Sequence, residues 1–382
     1  MVRRISVVIG PLMVALVVAA CGDTTPPLPT DEPGTTAAET TAETTAETTA
    51  ETTAPEQPTD GRLALVRDRG ELICGINGTL PGFSVLDAEG NTVGFDADFC
   101  RAIAAAVLGD AEAVEFRELT ADQRSTALQT GDIDVLIRNT TWTVSRDTAW
   151  GLFAPTTFYD GQAIMVNSTQ IDATSLEELD GATVCVLTGT TTEQNLQDAA
   201  QLAGIELNPE TFPEAPDLYS TYTEENSICD AATSDRSQLT AQRSGFENPE
   251  DHLILDDVLS KEPLGPVVPL GDDEWFNVVK WVVFATIEAE EQGLTSDNVE
   301  ETAASTEDPV VQRLLGVTPE GEEPFESGLG LEPDWVVTVI SQVGNYAEIY
   351  DRNLGPETAI GLERGLNSLW SDDGLLYAPP YR

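Results

Sequence analysis

Two side chains of opposite charge follow strand-like apolar segments and could together bind a small zwitterion. Arg146 comes shortly after the run Ile133–Ile137, where a guanidinium fork could grip a carboxylate through two hydrogen bonds. Asp235 comes just after the segment 228–233 and could receive an ammonium group. The plainer alternatives are a surface salt bridge for Arg146 and a helix-capping carboxylate for Asp235.

Residue content argues against most other kinds of chemistry. His252 is the only histidine, which excludes a histidine-based catalytic triad with a metal centre beside it. The loop Gly189–Thr192 lacks the Gly-Lys-Ser/Thr ending of a phosphate loop. We find neither a Cys-x-x-Cys zinc pair nor an Asp-x-Asp-x-Asn-Gly calcium loop. We therefore expect ion-pairing and hydrogen-bonding groups at strand ends, with no metal, no cofactor and no catalytic residue.

The charge balance is strongly acidic. The chain has 67 Asp and Glu residues against 18 Lys and Arg, a formal net charge of −49. Such a field repels nucleic acid and anionic lipid headgroups, so neither is an expected partner. A hydrated acidic surface suited to saline surroundings is the simplest explanation.

Four of the five cysteines fall in globular sequence and suggest disulfides in an exported protein. Cys74 with Cys100 and Cys185 with Cys229 each lie within one proposed lobe, which favours those pairings. Four buried thiols are the alternative, because each cysteine sits in an apolar segment.

The first twenty residues have the pattern of an export signal. Arg3 and Arg4 precede an apolar run, 5–20, that is short for a membrane span. Small residues then lead into Cys21, which resembles a bacterial lipobox and predicts lipidation of that cysteine. An ordinary cleavable signal is the alternative, and export by the general or the twin-arginine route stays open.

Residues 21–60 are dominated by Thr, Ala, Glu and Pro, with a Thr-Thr-Ala-Glu repeat. Such a composition predicts a disordered tether without a core. A flexible chain of this length reaches about 35 Å, enough to hold a domain clear of a membrane.

The remaining sequence alternates strand-like and helix-like segments, which predicts an α/β fold with parallel sheets. The pattern restarts at Thr183, so we expect two lobes with a ligand cleft at the strand ends between them. The expected lobe 1 comprises 61–160 and 268–382, and lobe 2 comprises 161–267. Segments 275–292 and 334–350 have helical apolar spacing and are predicted to be scaffold helices.

Several segments after residue 61 resemble the general L-amino acid-binding proteins of ABC transporters. They are Thr-Leu-Pro-Gly-Phe-Ser (79–84), Gly-Phe-Asp-Ala-Asp-Phe-Cys-Arg-Ala (94–102), Arg-Asn-Thr-Thr-Trp-Thr-Val-Ser-Arg-Asp-Thr (138–148), Val-Cys-Val-Leu-Thr-Gly-Thr-Thr-Thr-Glu (184–193), Ser-Lys-Glu-Pro-Leu-Gly-Pro (260–266), Val-Gly-Asn-Tyr (343–346) and Leu-Tyr-Ala-Pro-Pro (376–380). The resemblance implies extracellular solute-binding protein family 3 and the periplasmic-binding-protein type II fold, in which two parallel-sheet lobes are joined by a two-strand hinge.

The resemblance also implies roles for individual residues. Arg146 would hold the ligand α-carboxylate and Asp235 the α-ammonium. The other implied ligand-binding residues are Thr141, Thr191 and Thr192 as donors, Asn77 and Leu80 at the side-chain pocket, and Arg138 and Asn139 facing the ligand. Ala121 stands where selective relatives place an aromatic residue, which favours a broad side-chain range.

We therefore expect a monomeric, lipid-anchored binding protein that captures L-amino acids outside the cytoplasm and delivers them to the permease subunits of an ABC importer. An enzyme is not expected. Two alternatives stay open: a dehydratase of the same fold acting on prephenate or arogenate, with Arg138 as a second cation, and a ligand-sensing module.

Lipidation at Cys21 can be tested by Cys21→Ser, which removes the thiol that would carry the lipid. We expect the variant to move to the aqueous phase of a detergent extract, whereas the parent protein stays in the detergent phase. Unchanged partitioning of the variant would contradict the lipobox interpretation.

Overall fold

A computed structural model describes residues 61–382. The predicted signal (1–20), the predicted lipidation site Cys21 and the predicted tether (21–60) lie outside these residues. Within the described part, no helix is both long and apolar enough to cross a membrane.

The strands belong to two main sheets and one small hairpin. In chain order they are β1 (Leu72–Ile76), β2 (Val85–Leu86), β3 (Thr92–Val93), β4 (Val114–Glu118), β5 (Val135–Leu136), β6 (Gly151–Phe153), β7 (Phe158–Asn167), β8 (Thr183–Leu187), β9 (Asn208–Phe212), β10 (Ala231–Asp235), β11 (His252–Ile254), β12 (Ser260–Leu264) and β13 (Val267–Pro269).

The α-helices pack on the two main sheets and on each other. They are α1 (Arg62–Arg69), α2 (Phe95–Leu108), α3 (Arg124–Thr130), α4 (Val144–Ala149), α5 (Thr191–Ala203), α6 (Ala215–Tyr222), α7 (Arg236–Arg243), α8 (Asp273–Glu291), α9 (Val299–Ser305), α10 (Pro309–Leu314), α11 (Trp335–Val343) and α12 (Tyr346–Asn353).

The first sheet, which forms lobe 1, has the order β4-β1-β5-β13-β6. β1 runs parallel to both β4 and β5, and its apolar sequence is covered by helices. At its centre, a Cβ on Gly75 would lie 2.8 Å from Ile133 Cδ1 and 2.9 Å from Leu119 Cδ1. Glycine at this position therefore lets large side chains close over the strand.

The second sheet, which forms lobe 2, has the order β11-β7-β10-β8-β9, with β12 also paired to β7. β10, β8 and β9 are parallel, whereas β7 runs antiparallel to β10, β11 and β12. The two-lobed α/β fold predicted from the sequence is confirmed. Both sheets contain parallel strands, as predicted, and the crossing strands β7 and β13 enter them antiparallel.

An aromatic cluster in lobe 1 extends to the point where the chain crosses between the lobes. Phe95 on α2 packs against Phe158 at the start of β7, with ring centroids 5.8 Å apart. The Tyr346 hydroxyl donates to Thr157 O at 2.7 Å, just before that strand. The lobe 1 core thus fixes one end of the crossing strand.

The apolar segment 334–350 forms two helices instead of the single scaffold helix predicted. α11 ends at Gly344, whose φ of 95° is strained for any residue with a side chain. Asn345 then begins α12 with a capping box, because its side chain accepts from the Glu348 amide and Glu348 accepts from the Asn345 amide. Apolar spacing alone did not reveal this break.

Two disulfides join neighbouring elements within each lobe. One links Cys74 on β1 to Cys100 on α2, and the other links Cys185 on β8 to Cys229 just before β10. Each bond ties an inner strand of its sheet to an adjacent element.

A buried ion-pair cluster holds α1 against the first sheet. Asp134 is 1% exposed, pairs with Arg62 at 3.2 Å and with Arg69, and accepts from the Ile73 amide at 2.7 Å. Removing the charge leaves two arginines without their carboxylate.

We expect Asp134→Asn to lower the free energy of unfolding by about 3 kcal/mol, since breaking a buried ion pair is strongly destabilising. Urea denaturation measures this effect. Asp68→Asn, an exposed change on the same helix, should leave the midpoint unchanged. Equal midpoints for both variants would contradict the role assigned to Asp134.

Candidate functional site

The candidate site lies where strand ends from both sheets meet. The loops that follow β5, β8 and β10 enclose a cavity of about 20 Å³, which has room for about one water molecule. Its lining residues are Arg124, Arg138, Asn139, Thr141, Arg146, Leu187, Thr190, Thr191, Thr192, Ser234, Asp235 and Gln238. We refer to this space as the central cavity.

A second space adjoins the central cavity and shares Arg138 and Leu187 with it. Its volume is about 240 Å³, and we refer to it as the side cavity. The other lining residues are Asn77, Thr79, Glu118, Leu119, Thr120, Gln123, Pro213, Glu214 and Ala215. A larger cavity of about 420 Å³ near Trp335 shares no residue with either space and has no comparable convergence of buried charges.

Arg146 is placed by local helix geometry. Thr143 caps α4 by accepting from the Arg146 amide at 3.3 Å, and Arg146 Nη1 donates to Thr141 O at 3.1 Å. The guanidinium stacks 4.8 Å above the Trp150 ring, a favourable cation–π geometry. Burial lowers the pKa of Arg146, opposed by Glu262 and Asp235. Arg146 is therefore a buried cation, not a surface salt bridge.

Two further arginines reach the central cavity. Arg124 Nε donates to Ala121 O at 2.9 Å, and Arg138 Nε donates to Leu119 O at 2.7 Å. Burial lowers the pKa of Arg138 to about 10, and burial plus repulsion from Arg138 and Arg146 lowers that of Arg124. None of the three arginines has an ion-pair partner anywhere in 61–382. Each is held by backbone carbonyls and leaves guanidinium nitrogens for an anion.

One wall of the central cavity is acidic, because Asp235 lines it and is near Asp160 and Glu262. Asp235 stands at the end of β10 and is 5% exposed, yet its side chain makes no capping bond to α7. Burial raises the pKa of Asp235 well above its ordinary value, and Asp160 and Glu262 raise it further. Burial likewise raises the pKa of Asp160 to about 6. The wall therefore needs a cation.

Most residues implied by the sequence do meet here. Arg138, Asn139, Thr141, Arg146, Thr191, Thr192 and Asp235 line the central cavity, and Asn77 lines the side cavity. Leu80 lines neither space, because it is 1% exposed within the lobe 1 core. Ala121 is also buried and contributes only its carbonyl to Arg124.

The sequence analysis missed Arg124, Ser234 and Gln238. Arg124 falls on the same buried helix face as Ala127 and Leu128. An arginine among apolar residues at helical spacing was the sequence pattern that could have indicated a buried functional cation. Gln238 sits one helical turn beyond Asp235, but a neutral amide at that spacing carries no distinctive pattern.

A family model of the bacterial extracellular solute-binding proteins, family 3, matches residues 72–355. The chain belongs to this family.

Several relatives match most of this solute-binding protein. The general L-amino acid-binding periplasmic protein of Rhizobium johnstonii is 46% identical over 321 residues, 84% of this chain and 92% of that one. The glutamate/glutamine/aspartate/asparagine-binding protein of Rhodobacter capsulatus is 46% identical over 318 residues, 83% and 92%. An ABC transporter periplasmic binding protein from Brucella ovis with glutathione bound is 44% identical, with a TM-score of 0.81, and covers 85% of this chain and 100% of that one.

In this solute-binding protein the lobes touch directly around the central cavity. Thr141 and Thr191 place their hydroxyls 3.3 Å apart across the cleft. Asn139 Nδ2 donates to Gln238 Oε1 at 3.1 Å, and Arg124 Nη2 donates to Gly189 O at 3.3 Å. These bonds describe a closed cleft, so a ligand larger than one water can enter only if the lobes separate.

The raised pKa of Asp235 predicts how the ligand-free solute-binding protein responds to pH. An unfolded aspartate titrates near pH 4, so between that value and the raised folded pKa only the folded state keeps the proton. Stability contributed by this group is therefore present at low pH and is lost as pH rises through that window.

We expect Asp235→Asn to stabilise the ligand-free protein at pH 7 by about 1–2 kcal/mol, because the buried charge is gone. Thermal unfolding across pH 4–8 checks this. Asp172→Asn, an exposed carboxylate, is the matched control and should change nothing. A lower melting temperature for Asp235→Asn at pH 7 would refute the assigned electrostatics.

Proposed function

We propose that this protein captures L-amino acids outside the cytoplasm between its lobes and delivers them to the permease of an ABC importer. The proposal rests on one closed cavity whose walls have opposite charges that lack ion-pair partners within the protein. Arginines face a buried aspartate across a space that is otherwise uncharged and narrow. A zwitterion supplies both missing counter-charges at once.

The α-carboxylate is assigned to Arg146. Its guanidinium is fixed by Thr141 O and Trp150, so little side-chain freedom is lost when a carboxylate binds. The Thr141 hydroxyl, which faces the Thr191 hydroxyl across the cleft, would donate to the same carboxylate. The Thr191 hydroxyl donates to Glu262 at 3.0 Å and would turn to the ligand only by giving up that bond. Thr192 and the start of α5 add a positive helix terminus on the lobe 2 side.

The α-ammonium is assigned to Asp235. In the empty cleft its charge is disfavoured by burial and by Asp160 and Glu262. An ammonium at hydrogen-bond distance reverses this, since an opposite charge favours the ionised carboxylate. An amine or a simple acid would satisfy only one wall, and both should bind poorly.

Capture is proposed to proceed by closure. The chain crosses between the lobes in the segments between β6 and β7 (154–157) and between β12 and β13 (265–266), a few residues before the boundaries at 160 and 267 expected from the sequence. These two segments can absorb a rotation. The ligand first meets Arg146 on lobe 1, and closure then brings Asp235 and Thr191 against it. The closed form is the one offered to the permease.

Anchoring is proposed to occur through a lipid on Cys21, with residues 21–60 as a tether. A single anchored copy can then sample a permease within the reach of its tether, which raises its effective concentration there. This arrangement suits a monomer.

Substitution of the two charges tests the site. Arg146→Ala and Asp235→Ala should each weaken L-amino acid binding about a hundredfold or more, because one ligand charge is left buried and unpaired. Arg146→Lys should recover only part of the loss, since an ammonium cannot form the bidentate fork. Titration calorimetry on residues 61–382 measures the affinities.

Arg117→Ala, a partly exposed arginine on β4, serves as the matched control and should bind like the parent protein. Near-native affinity in folded Arg146 or Asp235 variants would refute the proposed site.

A second ligand class is favoured by the side cavity. Its volume of about 240 Å³ and its contact with Arg138 leave room beyond the α-carbon for a long polar extension. The Brucella ovis protein holds glutathione, which carries an amino acid head on such an extension. Glutathione therefore belongs in the calorimetry panel beside the amino acids, with prephenate included to test the dehydratase alternative.

A further inference from the structure

A chain of three amide side chains crosses the cleft from lobe 1 to lobe 2. Asn77 Nδ2 donates to Asn139 Oδ1 at 3.3 Å, and Asn139 Nδ2 donates to Gln238 Oε1 at 3.1 Å. At the lobe 1 end, Asn77 Oδ1 accepts from the Thr79 amide at 3.2 Å. We refer to Asn77, Asn139 and Gln238 as the amide relay.

The direction of the amide relay follows from its first bond. A backbone N–H can only donate, so the oxygen of Asn77 must face Thr79 and its nitrogen must face Asn139. Asn139 accepts from Asn77 through its oxygen, so its nitrogen must face Gln238. Gln238 in turn accepts through Oε1, which leaves its Nε2 at the end of the relay. The relay therefore delivers a donor, not an acceptor, on the lobe 2 side.

That terminal donor makes no hydrogen bond of normal geometry. Gln238 is 3% exposed and lines the central cavity, and its Nε2 is buried without a hydrogen bond in the described part of the chain. Burial raises the pKa of Tyr219 and an interaction with the Gln238 side chain lowers it, yet no hydrogen bond of normal geometry joins the Tyr219 hydroxyl to Nε2. An unpaired buried N–H carries a desolvation penalty, which a ligand acceptor would remove.

The middle of the relay is held in an unusual backbone conformation. Asn139 has φ of 31°, and its amide donates to the buried carboxylate of Asp96 at 2.9 Å. Non-glycine residues adopt this region rarely, and they persist there when their surroundings fix them. The bond that the Asn139 amide donates to Asp96 thus fixes the backbone from which the Asn139 side chain reaches across the cleft.

We propose that Gln238 Nε2 donates to an oxygen on the ligand side chain, and that the site therefore favours amino acids with a side-chain carbonyl or carboxylate. This inference rests on the proposed amino acid function. Arg146 and Asp235 account for the α-carboxylate and α-ammonium, which leaves the side chain for Gln238. Gln238 lines the central cavity, where that side chain would leave the α-carbon.

The test compares ligand pairs of similar size that differ in the oxygen: L-asparagine with L-leucine, and L-glutamine with L-methionine. Gln238→Met keeps the side-chain volume and removes the donor. We expect calorimetry to show about a tenfold loss for asparagine and glutamine, the usual value of one buried hydrogen bond. For leucine and methionine we expect a loss of twofold or less.

Gln238→Glu is the second variant. One carboxylate oxygen can still accept from Asn139, while the other presents an acceptor in place of the donor, so the loss for asparagine and glutamine should be at least as large. This variant decides the question if Gln238→Met does not fold. Gln242→Met, on the same helix but outside both cavities, is the control and should leave all four affinities unchanged.

Equal losses for all four ligands would overturn the proposal, because Gln238 would then serve closure alone, and unchanged affinities would overturn it as well. These outcomes leave the proposed function standing. If the parent protein binds none of the four ligands, the proposed function itself fails and the inference fails with it.

Discussion

Buried charge without an internal counter-charge is the constraint on which this structure depends. Arg124, Arg138 and Arg146 are all buried, and none has a carboxylate partner in residues 61–382. Asp235 faces them with a raised pKa. Such groups destabilise a closed protein, so the fold must hold them in place by other means and a ligand must complete them.

Backbone carbonyls hold the three arginines in place. The guanidiniums donate to the carbonyls of Ala121, Leu119 and Thr141, which lie in loops at the carboxyl ends of lobe 1 strands. These loops follow β4 and β5, which both pair in parallel with β1. The sheet therefore holds the three cations close together despite their mutual repulsion. Placing both walls at strand ends also means that a rotation of the lobes can separate them without disturbing either sheet.

Sequence reasoning succeeded where a local pattern carries the answer. Buried strands such as β1 and β8 are continuous apolar runs, and a charged residue just beyond a strand, as with Asp235, is visible without coordinates. It failed where tertiary packing decides: the antiparallel entry of β7, the break at Gly344, and the inward direction of Arg124 and Gln238. None of these leaves a periodic signal. The direction of β7 and of the two side chains depends on elements distant in sequence, whereas the break at Gly344 comes from a local glycine and capping box that apolar spacing does not register.

The charged walls and the amide relay would contribute different things to recognition. Ion pairs to the α-carboxylate and α-ammonium are the same for every L-amino acid, so they set affinity without discriminating among side chains. Discrimination must come from groups beyond the α-carbon, and a buried donor such as Gln238 Nε2 penalises a ligand that leaves it unpaired. One neutral donor penalises apolar side chains modestly, whereas a buried charge would exclude them. A broad ligand range with a preference for oxygen-bearing side chains is the physical consequence of building the distal part of the site from amides.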